Sequence, residues 1–149
     1  RVARSMAPPT GDGGSPAPID RPILEFLQTR LQATRQVSHA AITDASGHLE
    51  LQVVFASSYY PASVDDAILT VRWYTNDDFT IHYREVHSEH TWECRWDRHP
   101  NPHNTRDHFH PSPTAPAPDD DDSWPTDHRD VLRLVLDEVD GRIAVLWDD

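Results

Sequence analysis

The sequence predicts an α+β domain in which an antiparallel sheet of about five strands, a meander, packs against an N-terminal and a C-terminal helix. Three observations predict it. Apolar residues recur at helical spacing near both ends of the chain, while the segments between them alternate apolar and polar residues with a period of two. The connections between the alternating segments are short and rich in turn-forming residues, too short for the crossovers a parallel sheet requires.

Residues 1–18 are dominated by Pro, Gly, Ser and Ala and predict a disordered tail. A single domain is expected over 19–149, with an acidic Pro/Asp-rich linker at 111–122. Asp20 is a plausible N-cap with Pro22 in the first turn, and Ile23, Phe26, Leu27 and Leu31 predict a helix to about Gln36. Residues 37–43 and 49–56, split by Asp44-Ala45-Ser46-Gly47, predict a hairpin. Tyr59-Tyr60-Pro61 and Asp65-Asp66 read as a loop. Ile68–Tyr74 and Phe79–Glu85 alternate around an Asn76-Asp77 turn, and Trp92, Cys94 and Trp96 lie on one face of a fifth strand. Beyond the linker, Ser123 or Thr126 can cap a helix whose stripe is Val131, Leu132, Val135, Leu136 and Val139. Gly141 is expected to interrupt that helix, leaving Ile143–Trp147 as strand or resumed helix.

No run approaches the roughly 18 apolar residues of a membrane span, and the N-terminus lacks an apolar signal core. With one cysteine, no disulfide can staple the fold, so a reducing, cytoplasmic location is expected. The 25 acidic residues, 19 of them Asp, stand against 13 arginines and no lysine, a balance like that of proteins from extreme halophiles. A formal net charge of −12 argues against a nucleic-acid partner at low salt. At about 1 M salt the Debye length is ~3 Å, and local arginines decide instead.

Chemistry is concentrated in Trp92–Pro111, which holds four of the ten histidines and the single cysteine. Alternation puts Arg95 and Asp97 on the face opposite Trp92, Cys94 and Trp96, either as a surface ion pair or as part of a cleft. His108 and His110, two apart, share a face in an extended segment and can divide general base and general acid between them. They can also ligate zinc together with His99 and His103, although the spacing has no common zinc-site form. Each histidine alone reads as an ordinary loop residue. Pro100, Pro102 and Pro111 stiffen the connection.

His82-Tyr83, Arg95-Trp96-Asp97, Pro100, His103 and His108-Phe109-His110 together resemble the TumE-type toxins of toxin–antitoxin operons, over roughly residues 45–140. That family's pattern runs approximately Tyr-x-Tyr-His-Tyr, Arg-Tyr-Asp-Asn, a Pro-His pair and His-x-His before a C-terminal helix. Trp96 stands where Tyr is usual, Arg98 replaces Asn, and Pro100-Asn101-Pro102-His103 loosens the Pro-His pair. The resemblance implies a small cytoplasmic endoribonuclease that needs no metal or other cofactor. Its partners would be RNA and a co-expressed antitoxin, a small helix-turn-helix protein; a homodimer is also possible. On that reading His108 and His110 are acid and base, Arg95 meets phosphate charge and Asp97 orients a neighbour. Arg98, Arg106 and His103 would hold the substrate, with Tyr83 or an exposed tryptophan stacking a base. A metal-dependent hydrolase and a noncatalytic interaction protein are the alternatives.

Overall fold

The computed structural model describes residues 17–45, 47–99, 107–111, 120–121 and 123–148. Helix α1 (Arg21–Gln32) starts where Asp20 accepts a hydrogen bond from the Ile23 amide at 3.1 Å, with Pro22 in the first turn. It buries Leu24, Leu27 and Leu31. Phe26 falls at the rim instead, half exposed, edge-on to His128 and beneath Arg30. The helix stops four residues short of the predicted end, in a turn where the Thr34 amide donates to the Leu31 carbonyl and the Val37 amide to that of Thr34.

The strands follow the predicted meander and extend it. β1 (Val37–Ala45), β2 (His48–Phe55), β3 (Val64–Trp73), β4 (Phe79–His87), β5 (Thr91–Arg98), β6 (Asp107–His110) and β7 (Asp120–Asp121) pair antiparallel in chain order. A 3-10 turn at Ser57–Tyr59 joins β2 to β3. The β1–β2 turn contains Gly47 at φ +76°, and the β3–β4 turn contains Asp77 at φ +67°. Asn76 Oδ1 accepts from the Asp78 amide and Asp77 accepts from the Trp73 indole, which fixes that turn.

Two expectations are corrected. Asp65 and Asp66 are not loop: β3 begins at Val64, and its register with β4 shifts at an irregularity between Val64 and Asp66. The expected linker also contributes to the sheet, since Asp120–Asp121 pair with β6; residues 112–119 and 122 lie outside the described residues, as do 1–16 of the expected tail.

Helix α2 (His128–Asp148) runs through Gly141 without a break, so Ile143–Trp147 is helix. Its cap is Asp127 rather than Ser123 or Thr126: the Asp127 carboxylate accepts from the Arg129 amide at 2.8 Å and its carbonyl from Val131. Both helices lie on one face of the sheet. Leu24, Leu27 and Leu31 of α1 and Val131, Val135, Val139 and Ile143 of α2 share a core with Leu51, Leu69, Val71, Trp73, Phe79, Ile81, Tyr83, Cys94 and Trp96. Among the described residues, alternation then leaves the other face of β2–β6 without a helix.

Candidate functional site

The open face is built by register. Arg95 pairs directly with His82 of β4 on one side and with His110 of β6 on the other, and Asp97 pairs with Thr80 and His108 in the same way. Direct cross-strand partners share a face of an antiparallel ladder. Arg95, Asp97, His108 and His110 therefore stand together, as expected, and His82 and Glu93 join them.

The centre is Asp97, whose side chain is 2% exposed. Its Oδ2 accepts from Arg95 Nε at 2.8 Å, faces His110 Nε2 at 2.9 Å and lies 3.8 Å from His99 Nε2. Burial alone would raise its pKa. The close His110 ring, the nearby His99 and the Arg95 charge and hydrogen bond outweigh it and hold the carboxyl well below the ordinary range. His110 Nε2 is also 3.0 Å from Arg95 Nη2. A guanidinium can only donate and an ionised carboxylate can only accept, so one ring nitrogen cannot serve both. A proton on Nε2 favours Asp97; a proton on Nδ1 turns the Nε2 lone pair to Arg95. Each tautomer therefore satisfies one neighbour at this nitrogen and leaves the other without a partner there.

On the other side of Arg95, His82 Nε2 faces Glu93 Oε1 at 2.8 Å, a second carboxylate–imidazole pair, with both side chains about a quarter exposed. The result is a row, His82–Arg95–His110, across three strands, with one carboxylate behind each histidine. Beside it opens a concavity of about 340 Å³ lined by Glu50, Thr70, Arg72, Thr80, His82 and Arg95.

Several expectations change. His108 is on the predicted face but fully buried, its ring 5.2 Å from that of His99, so it does not meet the open surface as His110 does. Tyr83 lies on the helix-covered face, 1% exposed, its hydroxyl accepting from Tyr60 and donating to Glu85; it stacks no base there. Arg98 lies on that covered face as well, donating to Asp107 and to the Trp124 and Pro125 carbonyls above the Phe79 ring. Those bonds tie β5 to the start of α2 and leave Arg98 a structural clamp rather than a phosphate ligand. His103 and Arg106 lie outside the described residues. Cys94 is buried core, and burial, ahead of the Glu138 and Glu85 charges, pushes its thiol up to about 12. Among the described residues no group of three or more His, Cys, Asp or Glu side chains is placed to hold a metal ion.

Strand alternation puts Glu93 on the face of Arg95 and Asp97 and could have placed His82 there too, but the opposition of His82 to Arg95 depends on the His87–His90 turn, where the His87 amide donates to the His90 carbonyl.

The family model described as Toxin TumE matches residues 21–143. No curated protein and no solved structure matches the chain. No helix among the described residues is long and apolar enough to cross a membrane.

Proposed function

The chain belongs to the TumE toxin family, which makes it a toxin of a toxin–antitoxin pair with a cognate antitoxin as its partner, and from that premise we propose that its open sheet face cleaves RNA without a metal. The row His82–Arg95–His110 carries this reading. Cleavage through the substrate's own 2′-hydroxyl is an in-line displacement at phosphorus: a base takes the 2′ proton on one side, an acid protonates the departing 5′ oxygen on the other, and a cation meets the charge between them. Two histidines flanking an arginine match that demand.

His110 would exchange its proton at Nε2, the nitrogen that now meets Arg95 Nη2; a substrate oxygen taking that donor's place would find either a lone pair or a proton there. Asp97 holds the ring and stabilises it when charged. His82 and Glu93 do the same opposite, and Arg95, a third exposed and anchored through Nε, presents the rest of its guanidinium to the phosphate. Relative to the roles that the resemblance implies, His82 takes the place of His108. An A-form duplex keeps the 2′ oxygen off the line of the breaking bond, so the substrate is single-stranded.

We further infer a cytoplasmic protein of a halophile, for which the acidic surface supplies solubility and molar salt removes its repulsion of RNA. The antitoxin would be a small helix-turn-helix protein. The test is cleavage of single-stranded RNA at molar salt in the presence of a chelator. His82→Ala and His110→Ala should each lower the rate by about 10²–10⁴-fold. If both variants cut as fast as the parent, the catalytic reading is wrong, and an inert parent would favour a noncatalytic toxin.

A further inference from the structure

The concavity beside the catalytic row contains a cation that the chemistry above does not use. Arg72 donates to Glu50 Oε1 through Nε at 3.1 Å and Nη2 at 2.9 Å, while Gln52 donates to Glu50 Oε2 at 3.1 Å. Glu50 is therefore fixed at both oxygens and is 8% exposed, whereas the Arg72 side chain is 36% exposed. An ion pair this open on the arginine side contributes little to stability. What it does supply is a guanidinium already held in place, which loses less freedom on meeting a planar anion.

Its position is set by register. Arg72 pairs with Thr80, and Thr80 pairs with Asp97, so Arg72 lies two strands from the Arg95–Asp97 strand, about 10 Å at ordinary inter-strand spacing. It stands on the His82 side of the row. Between the two arginines the floor is Thr70, Thr80 and His82, hydroxyls and an imidazole rather than carboxylates. A neighbouring phosphate of an extended strand can reach Arg72 while the reacting one sits at Arg95.

We propose that Arg72, positioned by Glu50, holds the phosphate next to the scissile one, so that the RNA lies across β3 to β5 and is bound through at least two consecutive phosphates. This rests on the ribonuclease reading and adds a binding subsite to it. Stacking is not required; the subsite reads backbone charge, so it favours length over base identity.

The test compares RNA dinucleotides of mixed base with the same molecules extended by one nucleotide at the 5′ or the 3′ end. With the parent protein, extension at one of the two ends should raise kcat/KM about tenfold, the worth of one charge-assisted contact. The double variant Arg72→Gln/Glu50→Gln removes both charges together, so no buried carboxylate is stranded, and should lose that gain. Arg72→Lys, which keeps a charge against Glu50, is the second variant and should keep part of it. Binding of 2′-O-methyl versions of the same oligonucleotides should show the same pattern without chemistry. A gain retained in full by both variants, or no gain for the parent at either end, overturns the subsite while leaving the catalytic row standing. A parent that cuts none of these substrates and binds none of the blocked ones removes both proposals.

Discussion

The two faces of the sheet handle buried charge differently. Under the helices, Glu85 is 0% exposed and fully answered: Arg142 donates to both its oxygens at 2.8 and 2.9 Å, Tyr83 donates at 2.7 Å, and His87 lies 3.0 Å away. Arg142 is itself stacked 3.9 Å over Trp92. On the open face Asp97 is as deeply buried, yet its Oδ1 and the Nδ1 of its neighbour His110 have no hydrogen-bond partner among the described residues. One network is closed and ties α2 to the sheet. The other leaves bonding capacity unused, the kind of environment that the proposed chemistry would draw on.

The largest effect that separates them is on stability. Arg142→Ala should strand Glu85 without its main partner and cost about 3–5 kcal/mol, seen as a lower midpoint in denaturant unfolding. Arg95→Ala on the open face should cost far less, because Asp97 keeps His110 and His99. Equal losses from the two would erase the contrast.

Activity should reverse the order. Arg95→Ala removes the cation between the two histidines and should reduce the cleavage rate by about 10²–10³-fold, the usual worth of one preorganised donor. Arg142→Ala, assayed where it remains folded, should not approach that loss. A covered-face variant as inactive as the open-face one would mean that the site depends on α2.

Acid sensitivity is a smaller discriminator. Burial pushes both carboxyls up, but Asp97 is held down by His110, His99 and Arg95, and Glu85 by Arg142, Tyr83 and His87, so each has a folded pKa below its unfolded value. The folded state then binds fewer protons than the unfolded state, and stability is present above about pH 4 and lost as pH falls through the folded values. Asp97→Asn and Glu85→Gln should each remove up to about one proton from that acid limb, about 1.4 kcal/mol per pH unit. Unfolding midpoints measured from pH 6 down to pH 2 would show it, and an unchanged slope in either variant would contradict the assigned shift.

How much of this was legible beforehand depends on which interaction placed each residue. Period-two alternation is strict, so Arg95 with Asp97 and His108 with His110 were correctly put on common faces. The same rule put Arg98 beside Cys94 and Trp96, and Tyr83 beside Phe79 and Ile81, on the core side. Reading them as substrate ligands gave their polar groups more weight than their position. What alternation cannot supply is which residue lies across the strand, and so the His82–Arg95–His110 row was not legible, nor was the burial of His108. The family resemblance includes His82 in its pattern and implies no role for it.

The smallest effect concerns Gly141, where composition misled most plainly. A glycine in a helix interior weakens it by about 0.5–1 kcal/mol relative to alanine, which is why an interruption was expected there. Packing overrides that preference: Val139 and Ile143, two positions before and after, are both buried on the covered face, and Arg142 between them is tied to Glu85. Gly141 itself points outward, and a Cβ built on it meets nothing within 4 Å. Gly141→Ala should therefore stabilise the protein by about 0.5–1 kcal/mol, raising the melting temperature by a few degrees. It should leave cleavage unaffected, since the whole sheet separates it from the catalytic row. A destabilised Ala variant would mean that the helix needs glycine's freedom at this point, and that the covered face, like the open one, holds something in reserve.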